Sequence, residues 1–246
     1  MDPKAYDQMA QVEDIHWWFV ARRQILSRVI QSLGLPPQAQ ILEAGCGSGG
    51  NLAMLSAFGT VAGMEMSDAA RQKAQVRGLG VIQSGQLPLG IPFEGQRFHL
   101  IALLDVLEHL EQDQASLRAL ASRLTPQGSL LIAVPANPWL WSRHDDLNHH
   151  KRRYTRAQLR QVIEQAGLKL ERITYFNTLL FPLIAAIRLA QKQFNLQDSD
   201  DLTLPSRGIN QLLTWIFGLE RLWITRIPMP FGVSLIAVAR PQAASN

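Results

Sequence analysis

Side chains able to do chemistry gather in three stretches of this sequence. The first is Ile41-Leu-Glu-Ala-Gly-Cys-Gly-Ser-Gly-Gly-Asn51, an apolar run that enters a glycine turn. Glycines there let the backbone turn sharply and approach a ligand at a helix N-terminus. Gly45, Gly47 and Gly50 also satisfy the GxGxxG of dinucleotide-binding folds, so the spacing alone does not choose a ligand. Glu43 does more: where a dinucleotide fold has an apolar residue it places a carboxylate, which suits a cationic ligand. Glu65 follows in Val-Ala-Gly-Met-Glu-Met-Ser, at about the interval from which an acidic side chain takes the two hydroxyls of a ribose. Otherwise it is a solvated carboxylate at a strand end.

The second stretch is Asp105-Val-Leu-Glu-His-Leu110, and the third is the histidine-rich run from Trp139 to Thr155. A histidine near neutrality is the natural base for removing a proton from an acceptor. His109, His144, His149 and His150 are the candidates, the first three put forward as catalytic, and His144 pairs naturally with Asp145. Arg152 and Arg153 suit a phosphate or carboxylate. Glu108 and His109 serve equally well as caps of the next helix, and the basic run reads equally as a solvated loop over Tyr154. No residue is assigned as a metal ligand.

These residues need a scaffold, and the pattern supplies one. Between 40 and 135 apolar runs near 40–44, 60–65, 80–83, 99–104 and 129–134 alternate with helical patterns near 51–58, 68–77 and 112–124, as in consecutive βα units. An amphipathic helix precedes them over 16–33, with His16, Trp17, Trp18 and Phe19 followed by Arg22 and Arg23 at its start. After them come the polar loop 136–154, a helix opened by Thr155 and closed by Gly167, a strand near 169–175, apolar helices at about 177–194 and 208–225 around a polar linker, and a last strand over 233–239. The division expected is a cap over 1–37, a ligand-binding core over 38–135, and an acceptor-side half over 136–246 with a helical insertion at 177–226, all within one domain.

LEAGCGSG, the acidic GMEMS strand end, the QSGQLPL segment and LLDVLEHL, in that order, resemble the class I S-adenosylmethionine-dependent methyltransferases. The likeness is to the broad group that includes small-molecule and ubiquinone-pathway enzymes. It covers about 38–135 and continues weakly to Gly167. It implies an α/β Rossmann-like doubly wound fold, a mostly parallel seven-stranded sheet with an antiparallel last strand, and S-adenosylmethionine as cofactor. It implies that Glu43, Gly45, Gly47 and Gly49 hold the methionine end, Glu65 the ribose, and Gln83 and Ser84 the adenine, with Asp105 a further cofactor-binding residue at the strand edge. Ubiquinone-pathway relatives associate the DVLEH segment with a divalent metal. Two positions depart from the family: Gln83 and Ser84 stand where an Asp is usual, and His99 where an acidic residue is usual.

Composition narrows the partners. Twenty-four basic against 20 acidic side chains give a net charge of +4, common among enzymes of this size. The single cysteine, Cys46, excludes an intrachain disulfide and a cysteine-rich zinc site, and fits a reducing cytoplasm. The N-terminal stretch reads as part of the fold, not as an export signal. The longest apolar stretch, 176–190, is broken by Pro182 and Arg188 and too short to span a bilayer. No motif selects nucleic acid, so the acceptor expected is a small or lipid-like molecule. The apolar helices with their tryptophans and arginines suit peripheral contact with the inner face of a membrane. Against methyl transfer stand two alternatives on the same fold, a nicotinamide-dependent oxidoreductase and a non-catalytic nucleoside-binding or membrane-associated protein.

Overall fold

The computed structural model describes residues 3–194 and 202–242. Seven strands form one sheet in the order β3-β2-β1-β4-β5-β7-β6. They are β1 (Ala39–Ala44), β2 (Gly59–Glu65), β3 (Val81–Ser84), β4 (Phe98–Leu104), β5 (Leu124–Pro135), β6 (Leu168–Phe176) and β7 (Ser234–Pro241). β1 to β5 pair in parallel; β7 enters antiparallel between β5 and β6. The fold expected from sequence is the fold observed.

Alternation along each strand builds two cores, one on each face of the sheet. Leu42, Ile101, Leu103, Leu130, Ile132, Leu235 and Ala237 face one way, against Leu117 and Leu120 of α5 (Asp113–Ala121) and Leu159 and Ile163 of α7 (Arg156–Gln165). Ile41, Leu100, Ala102, Leu131, Ala133, Ile236 and Val238 face the other way. There they meet Ile25, Leu26 and Val29 of α2 (Trp17–Gln31), Leu52 and Leu55 of α3 (Leu52–Ser56), and Phe217 of α9 (Arg207–Gly218). The remaining helices are α1 (Pro3–Val12), α4 (Asp68–Val76), α6 (Arg143–Leu147) and α8 (Phe181–Phe194).

Three features differ from expectation. The polar run 136–154 is not a plain loop: after a 3-10 turn (Pro138–Leu140) it folds into α6, whose Asp145 side chain accepts from the Ser142 N–H at 2.9 Å. α1 precedes the expected N-terminal helix. The second apolar helix stops at Gly218 and continues as a 3-10 turn (Leu219–Leu222) that carries Glu220. Glu220 explains the stop, because its buried carboxylate accepts the N–H groups of Asn177, Thr178 and Leu179 where β6 ends. α7 starts as its sequence demands, with Thr155 and Gln158 bonding reciprocally in a capping box. Among the described residues no helix is long and apolar enough to cross a membrane.

Candidate active site

The strand order reverses between β1 and β4, and their carboxyl ends open the crevice where such sheets bind ligands. β1 runs into the glycine loop and β4 into Asp105, which takes a left-handed φ of 56°. The two turns nearly touch: Gly45, at φ 78°, lies so close that a Cβ there would meet Val106 Cγ2 at 2.7 Å. Gly47, at φ 53°, has open space where a side chain would project.

Glu43 sits at the centre, 1 % exposed. Its Oε1 accepts from Asn51 Nδ2 at 2.8 Å, while Oε2 has no partner. Burial pushes its carboxyl up from 4.5 to about 8, against the opposing effects of the Asn51 hydrogen bond and the Arg22 charge. Arg22, buried in α2, ties the two turns together. It ion-pairs with Asp105 at 2.5 Å, reaches Asn51 Oδ1 at 3.4 Å, and lies over the Trp18 ring at 5.2 Å. The aromatic and basic start of α2 therefore braces the site.

Glu65 faces the same loop from the end of β2. Its two oxygens accept from the Gly47 N–H at 3.0 Å and the Ser67 N–H at 2.8 Å, so it is not merely solvated. Gln83 and Ser84 lie exposed on the adjoining edge strand, in register with Met64 and Glu65. Glu13 was not singled out by sequence. It closes the loop from outside, bonding Ser48 Oγ at 2.8 Å and Arg77 at 2.5 Å, with Gly50 packed against its carboxylate. His99, the other departure from the family pattern, accepts the Gln40 N–H at 3.0 Å and so satisfies the strand backbone.

Beyond Asp105 the second and third stretches meet in one buried polar cluster. Glu108 is fully buried, both oxygens lack a hydrogen-bond partner, and burial followed by the Asp105 charge holds its carboxyl well above the ordinary value. The His109 and His150 rings stand edge to face at 4.7 Å. Burial first, then the neighbouring His150, lowers His109 from 6.5 to about 4, and its ring hydrogen-bonds to the His149 backbone carbonyl.

Asp145 does not pair with His144. Its Oδ1 takes His150 Nδ1 and Arg153 Nε, both at 2.8 Å. Although burial raises this carboxyl, those two partners and the Ser142 N–H hold it far below the ordinary range. His144 instead meets Asn148 at 3.1 Å. His149 is exposed, at a left-handed φ of 55°, and contributes its carbonyl, not its imidazole. Arg152 is engaged by Asp113 at 2.8 Å and Arg153 is buried on Asp145, so neither is a ready-made anion clamp. Of the four candidate histidines, His150 is the one that the fold pairs with a carboxylate. One Glu108 oxygen and one nitrogen each from His109 and His150 lie within 4.8 Å of one another, close enough to share an ion.

Comparison with known proteins decides what this crevice belongs to. A methyltransferase-domain family matches residues 18–173, nearly two-thirds of the chain. The chain belongs to that family. It is an S-adenosylmethionine-dependent methyltransferase, and the oxidoreductase and non-catalytic alternatives fall with that membership. No curated protein matches the sequence.

Solved structures share the fold at low identity. A chain from the complex of a methyltransferase activator with a methyltransferase of Haloferax volcanii is 17 % identical, with a TM-score of 0.64 over 99 % of this methyltransferase and 97 % of that chain. A TehB-like methyltransferase from Corynebacterium glutamicum is 19 % identical, with a TM-score of 0.57 over 98 % and 100 %. The magnesium protoporphyrin IX methyltransferase of Synechocystis, bound to S-adenosylhomocysteine, is 15 % identical, with a TM-score of 0.59 over 98 % and 95 %. Of these three the last names its acceptor, and a shared methyltransferase fold does not carry that acceptor over to this chain.

Proposed function

We propose that this enzyme methylates a small acceptor with a lipid-like, largely apolar body, and that the buried histidine cluster takes the acceptor's proton. The observation that carries the site reading is the partnerless Glu43 oxygen, fully desolvated beside the glycine loop. A buried carboxylate that lacks a partner calls for a cation, and the ammonium group of the cofactor's methionine end is one. Gly45, Gly47 and Gly49 let the loop backbone lie against that end. Glu65 has lone pairs beyond the two already used and can accept both ribose hydroxyls. Gln83 and Ser84 border the adenine from the neighbouring strand, the Gln83 amide oxygen being able to accept from its amino group. Asp105, held by Arg22, fixes the turn between cofactor and acceptor.

S-adenosylmethionine supplies a methyl group on a sulfonium, open to direct displacement. The protein's part is therefore alignment, exclusion of water and removal of a proton. His109 stays neutral at working pH, and its bond to the His149 carbonyl leaves the other ring nitrogen able to accept. His150 is the better-supported base, because Asp145 orients its imidazole as the third member of a catalytic triad does. His144 and His149 stand outside that pairing. Trp139, Phe181 and Phe231 cluster at centroid distances of 5.4–6.0 Å from one another and would offer an apolar wall to the acceptor. The cell compartment that fits is the cytoplasm, with peripheral contact at the inner face of a membrane, where such an acceptor resides.

One observation favours a second reading of the cluster. With the Glu108 carboxyl free of hydrogen bonds, one of its oxygens 4.0 Å from His150 Nε2 and the His109 ring beside them, the three groups form a nitrogen–oxygen set suited to a divalent transition metal, which would polarise an acceptor hydroxyl. Equilibrium dialysis against Zn2+ and Mn2+, with Glu108→Gln as control, separates a metal site from a proton-transfer site. The main reading is tested by transfer of labelled methyl into a lipid extract and into an aqueous metabolite extract. Label in the lipid fraction supports it; label only in the aqueous fraction refutes it.

A further inference from the structure

α8 is an apolar helix that packs through Phe181, Ile184 and Ala185 yet leaves most of its length exposed. Of its 14 residues only Ala185 is buried. Leu183, Ile187 and Phe194, on one stripe of the helix, are all exposed, Phe194 by 70 %. On α9 the side that meets α2 is covered, but Ile209, Leu212 and Trp215, spaced three apart, form an open stripe with Trp215 61 % exposed. Large aliphatic and aromatic side chains in contiguous helical stripes are costly to leave in water and mark an interaction surface.

Where the chain leaves α9 for the sheet edge lies a cationic cleft. α9 continues through its 3-10 turn, where Leu222 is exposed, into the segment 224–228 along the edge strand β6. That segment, β6 and α7 enclose a cleft of about 280 Å3 that carries Arg156, Arg160, Arg172 and Arg226, with Glu171 as its acidic residue. Among the described residues, Arg156, Arg160 and Arg226 make no ion pair, and Arg172 bonds only Ser32 Oγ at 3.3 Å. Ile227, next to Arg226, is itself exposed.

We propose that α8, α9 and this arginine cleft form a docking surface for an anionic phospholipid bilayer. The aliphatic stripes enter the interfacial layer and the unpaired guanidinium groups take headgroup phosphates, which accept the planar fork of arginine bidentately. Charge decides the occupant. A neutral partner would satisfy the apolar stripes but leave the arginines without counter-charge, whereas an anionic bilayer supplies both an apolar layer and a sheet of phosphates. The proposal gives the apolar-acceptor reading its setting without depending on it: flotation reads binding and not transfer. A protein that floats yet methylates no lipid overturns the acceptor reading and leaves the docking surface intact.

The test is vesicle flotation of the full chain at low and high salt, with neutral phosphatidylcholine vesicles and with vesicles containing phosphatidylglycerol. Two variants accompany it, Arg156→Glu/Arg160→Glu/Arg226→Glu and Leu212→Ser/Trp215→Ser, with cofactor binding and melting temperature as controls of fold. Expected is flotation with anionic vesicles only, weakened by salt, with partitioning reduced by about a hundredfold or more in the arginine variant and clearly reduced in the apolar one. Failure of the parent protein to float with anionic vesicles overturns the proposal, as does flotation undiminished in both variants. A concentration-dependent dimer that Leu212→Ser/Trp215→Ser disperses also overturns it, since a second copy would then be the occupant.

Discussion

Glu43→Gln isolates the group that the site reading leans on most. With its carboxyl raised to about 8, Glu43 is about one-tenth ionised at pH 7 in the free enzyme. Binding a cation beside it requires the ionised form, so cofactor affinity at pH 7 sits about tenfold, or 1.4 kcal/mol, below its limit. Below pH 7 it should fall about tenfold per pH unit. Above pH 8 the cofactor's own amino group begins to lose its proton, since α-amino groups titrate near 7.7–8.0. Affinity for S-adenosylhomocysteine, which carries the same amino group, should therefore peak near pH 8, and binding at pH 7 should release close to one proton.

Calorimetry at pH 6, 7 and 8 in buffers of different ionisation enthalpy reads both quantities. Glu43→Gln should flatten the acid limb, abolish the proton release, and weaken binding at pH 8 by about 1.5–3 kcal/mol, the range for a hydrogen bond to a charged group. The same shift acts on stability. A carboxyl whose folded value is raised contributes stability below its unfolded value of 4.5, and that contribution is lost as pH rises through about 8. The free enzyme should lose up to about 5 kcal/mol over that window. Glu43→Gln should thus raise the melting temperature at pH 8.5 and leave it nearly unchanged at pH 5. An affinity indifferent to pH between 6 and 7 in the parent enzyme, or unaltered proton release in the variant, would refute the assignment.

Three further outcomes follow from the geometry. Gly47→Ala should fold with a loss of about 1–2 kcal/mol from its positive φ but lose cofactor binding. Gly49→Ala, with a Cβ 2.8 Å from Leu52 Cδ1 and 2.9 Å from Arg77 Cδ, should lower the melting temperature further. Glu65→Ala should weaken cofactor binding by about 1–3 kcal/mol and also reduce stability, because it strands the Gly47 and Ser67 N–H groups; calorimetric binding with thermal melts reads both. His150→Ala and Asp145→Asn should keep cofactor affinity while turnover falls about 10²–10⁴-fold, and His149→Ala should leave turnover near the parent's; parental rates in all three would remove His150 as the base.

The parts legible in the sequence were those set by local pattern. Strand alternation gave the two-faced sheet, because each apolar run carries a side chain to both cores at period two. Thr155 and Gly167 announced α7, because a cap residue and a closing glycine mark a helix locally. The cofactor-side carboxylates were legible for the same reason, each standing at the end of its own strand. What escaped depends on turns and distant pairs. His144 lies next to Asp145 in the chain, yet α6 turns the two apart. The left-handed residue His149 then swings His150 back onto the carboxylate, and only coordinates show that reversal. Arg22 carried a faint signal, a cation one turn beyond the aromatic start of α2. A charge on a buried face must find a partner across the fold, and the partner here is Asp105, 83 positions away and itself in a strained turn. That pairing makes a definite demand. Asp105→Asn leaves the Arg22 guanidinium buried without a counter-charge, so it should cost about 3 kcal/mol or more of stability, whereas Arg22→Met/Asp105→Asn together should cost less than Asp105→Asn alone. Thermal and denaturant unfolding of the two variants measure this directly, and a double variant no more stable than the single one would show that the pair does not brace the crevice.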